Sequence, residues 1–143
     1  MVSTSTCQRG FTLIEVMIVM VILGIMATLV VPNIIGRPDD ARVTVAKSDI
    51  MAISNALELY KLDNYNYPST QQGLEALVHK PAGDPAAANW KSGGYLKELP
   101  TDPWGTPYQY LCPGTHGAYD LYSLGADKQQ GGEGYNADIG NWK

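Results

Sequence analysis

Arg9-Gly10-Phe11-Thr12-Leu13-Ile14-Glu15 opens the apolar run that decides the architecture of this chain. A short polar leader ends in a basic residue and a glycine. Phe11 follows, and from Val16 to Val31 the side chains are Val, Met, Ile, Leu and Ala, interrupted only by Gly24 and Thr28. From Phe11 to Ile35 the segment runs about 25 residues, and a helix crosses a bilayer with roughly 20. One carboxylate, Glu15, stands near its start. A charge inside such a helix is costly, so it predicts a specific partner. A secretory signal has an apolar core of about 7–15 residues and a small-residue cleavage site after it. This run is longer, and Pro32-Asn33-Ile34-Ile35-Gly36-Arg37-Pro38 offers no such site. A cut before the run, between Gly10 and Phe11, removes the leader and leaves the helix on the mature protein.

Cleavage there frees a cationic amine on Phe11. In a stack of subunits, one chain's Glu15 can face the next chain's amine. Opposite charges about 4 Å apart attract by about 4 kcal/mol at an effective dielectric constant near 20. A lone Glu in lipid gains nothing comparable and tends to protonate. The other reading is a simple anchor whose Glu15 snorkels to the headgroups. Arg9 on the cytoplasmic side, with the rest of the chain outside, agrees with the positive-inside rule.

The chain has 143 residues and a formal net charge of −4, which becomes −5 when Arg9 leaves with the leader. That balance has no basic surplus for neutralising phosphates, so nucleic acid is not an expected partner. Beyond Ile35 remain about 100 residues, one small domain. Cys7 lies in the leader, which leaves Cys112 alone and excludes an intrachain disulfide. Cys behaves as a small hydrophobe, so burial is expected for Cys112; pairing between chains is the alternative.

Ala46, Ile50, Ile53, Leu57 and Tyr60 recur at steps of four and three, one apolar stripe of an amphipathic helix. Asn64-Tyr65-Asn66-Tyr67-Pro68 ends it. The pattern predicts one long helix from near Thr12 to Leu62. Pro32 removes an internal hydrogen bond and kinks or weakens it; a static bend and a loosened segment between Gly24 and Gly36 both fit. Thr70 to Val78 suits a short helix, and 81–94 reads as loop. Asp102-Pro103-Trp104-Gly105 is a turn signal. Tyr108 to Leu111 and Ala118 to Leu124 read as strands. The fold class is therefore α+β, a long helix followed by a small antiparallel sheet.

The segment from Gly125 to Trp142 is too polar and glycine-rich to order itself by packing. It offers hard oxygen donors in Asp127, Glu133, Asn136 and Asp138, besides backbone carbonyls. Calcium takes 6–8 such oxygens in flexible geometry. The spacing is not that of an EF-hand, and on chemistry alone a solvated loop fits equally well. Enzymatic signals are weak. His79 and His116 have no Cys or His at a zinc spacing. No serine sits in a nucleophile elbow. Gly131-Gly132-Glu133-Gly134 lacks the Lys-Ser/Thr ending of a phosphate loop.

Two blocks carry a resemblance. Gly10-Phe11-Thr12-Leu13-Ile14-Glu15 ahead of a membrane-length run resembles the amino terminus of the type IV pilin superfamily. This implies cleavage between Gly10 and Phe11 by a prepilin peptidase, N-methylation of Phe11 by the same enzyme, and pairing of Glu15 with a neighbour's Phe11 amine during assembly. Tyr119-Asp120-Leu121-Tyr122-Ser123-Leu124-Gly125-Ala126-Asp127, then a glycine-rich loop, then Ala137-Asp138-Ile139-Gly140-Asn141-Trp142 is similar to the major pseudopilins of type II secretion systems. So are Asp102-Pro103-Trp104-Gly105 and Tyr67-Pro68-Ser69-Thr70-Gln71-Gln72-Gly73-Leu74, so the similarity covers nearly the whole chain.

The resemblance implies a pilin fold with a leader at 1–10, a transmembrane assembly helix at 11–35 and a periplasmic domain at 36–143. It implies calcium in the carboxy-terminal loop, with Asp127 and Asp138 as side-chain ligands, Leu124 and Gln129 offering carbonyls, and Asn136 in the set. It implies a homopolymer anchored in the inner membrane of a Gram-negative bacterium, with its globular part in the periplasm. Its expected partners are minor pseudopilins, an inner-membrane platform with its ATPase and an outer-membrane secretin, and its expected work is export of folded proteins. A surface pilus for adhesion, motility or DNA uptake is the alternative within the superfamily. A membrane-anchored, calcium-dependent binding module is the alternative outside it.

Overall fold

The computed structural model describes residues 11–30 and 37–143. The chain divides into two compact units, with the boundary between Pro38 and Asp39. In the first unit, α1 spans Leu13–Val30. Thr12 starts it: its carbonyl accepts the amides of Glu15 and Val16 at 3.1 and 3.3 Å. Every side chain from Phe11 to Met26 is exposed. A helix apolar on all faces belongs in lipid or among other apolar helices. With 18 residues, α1 is about 27 Å long at 1.5 Å per residue. Among the described residues, no helix is long and apolar enough to cross a membrane. The expected membrane segment runs on to Ile35, and the expected single helix runs through Pro32. Both involve residues 31–36, outside the described residues, as does the leader with Gly10.

The second unit is built on α2, Arg37–Asn64, from Asp39 onward. Ala46, Ile50, Ile53, Leu57 and Tyr60 are all buried, with Ala56 beside them, as the stripe predicts. The helix stops at the expected residue because Tyr65 turns left-handed at φ 65°. Its amide closes on the Lys61 carbonyl at 2.7 Å, the single-bond form of a left-handed helix end. Asn64, itself buried, turns its amide back onto the Tyr60 carbonyl at 3.0 Å and the Tyr95 hydroxyl at 3.1 Å.

Three antiparallel strands follow, in the order β1, β2, β3: Gln109–Leu111, Asp120–Ser123 and Ile139–Gly140. Tyr110 stands opposite Leu121, and Ser123 opposite Ile139. Both expected strands exist but are shorter than their sequence spans. The third was not expected: a two-residue strand has no alternation to read. The helix expected over 70–78 is only a 3₁₀ turn, Leu74–Leu77, preceded by Gly73 at φ 60°. A left-handed residue there cannot belong to a right-handed helix. The turn nonetheless buries Ala76 and Leu77 against the core of Ile53, Leu57, Tyr60 and Leu121.

The Asp102 turn forms as read. Gly105 donates its amide to the Asp102 carbonyl at 2.9 Å. The buried Asp102 carboxylate accepts the Trp104 and Thr106 amides at 3.1 and 2.7 Å and the Ser123 hydroxyl at 2.6 Å, tying the turn to β2. Cys112 departs from expectation. It is half-buried rather than buried, because it lies just past the edge strand β1. There its amide and carbonyl both bond the Thr70 hydroxyl, each at 2.9 Å.

Candidate functional site

The carboxy-terminal loop leaves β2 at Leu124 and returns at β3. Two backbone clasps close it. The Ala126 amide donates to the Tyr135 carbonyl at 3.0 Å, and the Asp138 amide to the Gly131 carbonyl at 3.2 Å. The Gly131 amide answers by donating to Asp138 Oδ2 at 2.9 Å. Asp127 folds its own turn, with Oδ1 accepting the Gln129 amide at 3.0 Å; short carboxylates do this readily. Two glycines permit the close approach. Gly125 and Gly132 hold φ 71° and 86°, where L side chains are strained. A β-carbon on Gly132 would overlap the Asn136 carbonyl, and one on Gly125 would lie 3.0 Å from the Tyr135 and Ala137 carbonyl oxygens.

The residues expected at a metal fall into three places. Asp127 and Gln129 share one turn. Asn136 and Asp138 lie on the returning segment, drawn against Gly132 and Gly131. Leu124 stands at the loop's entrance. Asp138 supplies the informative atom: its Oδ1 is buried and has no hydrogen-bond partner. A buried carboxylate oxygen left so is costly unless a donor or cation meets it. Among the described residues, no three His, Cys, Asp or Glu side chains converge as a metal group. A cation held here would have to draw on carboxylates together with backbone carbonyls. That all-oxygen set suits a hard ion such as calcium and not zinc.

Beside the loop stands a node that sequence reasoning passed over. Asp120, on β2, is buried. Its Oδ2 accepts the Thr115 amide at 2.8 Å and hydroxyl at 2.6 Å, and its Oδ1 accepts the His116 amide at 3.0 Å. His116 Nδ1 lies 3.0 Å from Oδ2. Burial alone raises the Asp120 carboxyl, but these bonds outweigh it and hold the group well below the ordinary carboxylate range. The His116 ring stacks on Trp142 at 4.1 Å and 9°. His116 thus links the buried Asp120 to the carboxy-terminal tryptophan. A buried carboxylate leaves no local sequence signature.

At the other end of the chain, the Thr12 amide reaches back to Glu15 Oε2 at 3.5 Å. This is one half of a capping box, whose Thr-x-x-Glu spacing is present in the sequence; the Glu15 amide goes to the Thr12 carbonyl instead of its hydroxyl. The bond to Oε2 is long, so the carboxylate stays open at the exposed start of α1, beside Phe11, which is 84% exposed.

Comparison with known proteins places these two ends in one family. The family model "Type II secretion system (T2SS), protein G" matches residues 33–142, and "Prokaryotic N-terminal methylation motif" matches residues 5–31. The chain belongs to the type II secretion system protein G family. The type II secretion system core protein G of Pseudomonas aeruginosa is 68% identical, with 94% of this chain and 95% of that protein covered. The Vibrio cholerae core protein G is 59% identical, over 94% of this chain and 92% of the relative. The crystal structure of the major pseudopilin from the type 2 secretion system of enterohaemorrhagic Escherichia coli matches with a TM-score of 0.69 and 45% identity, covering 79% of this chain and 96% of that one. The expected pilin-like α+β fold is thereby met. The protein G family supplies structural pseudopilin subunits, not enzymes.

Proposed function

We propose that this protein is the major building block of a periplasmic pseudopilus that drives folded proteins through the outer membrane. One observation carries the reading: α1 exposes apolar side chains on every face, and one carboxylate, Glu15, stands at its open end. Such a helix gains little as an isolated strut and much when packed among copies of itself.

Cutting between Gly10 and Phe11 creates the amine, later methylated, that one subunit's Phe11 presents to the next subunit's Glu15. The segment 11–35 anchors the subunit in the inner membrane before assembly, and 36–143 faces the periplasm. Minor pseudopilins, the inner-membrane platform with its ATPase, and the secretin complete the machine. Calcium, held by Asp127 and Asp138 with the Leu124 and Gln129 carbonyls and Asn136 nearby, orders the carboxy-terminal loop. The orphaned Asp138 Oδ1 supports that role.

Glu15→Ala leaves insertion and leader removal intact but abolishes filaments, as imaged after overexpression; normal filaments would refute the pairing. Deletion of the gene traps exported enzymes in the periplasm. Unimpaired export with lost twitching or adhesion would replace the pseudopilus with a surface pilus.

A further inference from the structure

We propose that Tyr135 is a latch that transmits the state of the carboxy-terminal loop to the first turn of α2. The inference rests on the calcium reading of that loop and assigns it a mechanical output. The Tyr135 hydroxyl donates to Asp40 Oδ1 at 3.1 Å, across 95 positions of sequence. Among the described residues, no other hydrogen bond joins the segment 125–138 to α2.

The position of Tyr135 in the loop gives the bond its meaning. Its carbonyl is held by the Ala126 amide at 3.0 Å, one residue before Asp127. The next residue is Asn136, whose amide is pinned to the Glu133 carbonyl at 3.1 Å, and Asp138 follows two positions on. The proposed ligands thus flank Tyr135 on both sides of the closed loop. A cation that draws Asp127 and Asp138 together fixes the backbone from which the phenol projects. With the clasps open, Gly132 and Gly134 free that backbone. The ring is 40% exposed and takes no part in the buried core, so the hydroxyl is its anchor.

The acceptor is equally well placed. Asp40 lies in the first turn of α2, where the helix dipole favours a carboxylate. Its backbone carbonyl takes the Thr44 hydroxyl at 2.9 Å. Asp39 beside it is paired with Arg42 at 2.9 Å. A latch on Asp40 therefore braces a turn that is otherwise held by local, exposed contacts. One such exposed bond, its charge screened by solvent, shifts a local opening equilibrium by about threefold to tenfold.

Hydrogen–deuterium exchange of the full chain in detergent micelles, with calcium or with chelator, tests this. In the wild type, calcium slows exchange in residues 125–138 and, by about threefold to tenfold, in the amides of residues 41–46. Tyr135→Phe keeps the slowing in the loop and loses it at 41–46; Asp40→Ala does the same. Slowing at 41–46 that survives Tyr135→Phe overturns the latch. So does a wild type in which calcium slows the loop alone. If calcium slows neither segment, the calcium reading itself fails and the latch falls with it.

Discussion

Asp120→Asn is the sharpest test of how the sheet end is held. The carboxylate satisfies the Thr115 amide and hydroxyl through Oδ2 and the His116 amide through Oδ1, at 2.6 to 3.0 Å. An asparagine offers one acceptor and one NH₂. With its oxygen in the Oδ2 place, the NH₂ confronts the His116 amide; turned around, it confronts the Thr115 amide. Either way a main-chain donor loses its acceptor, at about 1–3 kcal/mol. The remaining bonds change from charge-assisted to neutral and lose on the order of 1 kcal/mol in all. The expected destabilisation is about 3 kcal/mol. For a unit of this size, roughly 4–8 °C per kcal/mol makes that a fall of about 12–24 °C in Tm.

The pH dependence follows from the sign of the shift. The folded Asp120 carboxyl is depressed. Its stabilisation is therefore complete above the unfolded value of about 3.9 and is lost as pH falls through the folded value. Thermal unfolding followed by near-ultraviolet circular dichroism, which reports the stacked Trp142, gives both numbers. A drop of less than about 4 °C at neutral pH, or a gap between wild type and variant that does not narrow on acidification below about pH 4, would refute the reasoning.

Three further outcomes are expected. Asp127→Ala lowers Tm in calcium and erases the difference between calcium and chelator, which in the wild type reaches about 2.7 kcal/mol when free calcium is about 100 times Kd; a wild-type Tm indifferent to chelator removes the metal from the account. Leu121→Ala, at a fully buried position of β2, costs about 2–5 kcal/mol by denaturant titration; a loss under about 1 kcal/mol would mean that the core is not where the sheet places it. Tyr108→Phe removes the 2.9 Å bond to Asp49 and costs about 1 kcal/mol at neutral pH. Burial first, and then the Asp49 bond, raises the Tyr108 phenol above its ordinary range, so its stabilisation is present below about pH 10 and lost as pH rises through the folded value. The variant should therefore unfold less steeply in alkali, and an identical alkaline profile would contradict the shift.

The parts of the fold legible in the sequence share one property: their causes lie within a few residues. The stripe from Ala46 to Tyr60 is set by side chains three and four apart, and it is buried as read. The end of α2 and the Asp102 turn depend on local backbone chemistry. The apolar run and Glu15 were equally plain. Where the reading overshot, a local preference was overridden. Gly73 confined an expected helix to one 3₁₀ turn, and Thr70 left Cys112 at an open edge.

At the candidate site, composition alone named the oxygen donors, while their roles came from resemblance. No spacing rule could say that Asp138 would keep one buried oxygen without a partner.

By itself, then, the sequence determined an apolar helix with one acid at its start, a second helix with a buried stripe, and an oxygen-rich loop, because periodicity and turn chemistry act between near neighbours. Only the tertiary structure decided that Asp120 would gather the Thr115–His116 turn beneath Trp142, that Ile139 would add a third strand, and that Tyr135 would reach Asp40. Those contacts join residues far apart in the chain, and their geometry exists only once the core between α2 and the sheet has closed.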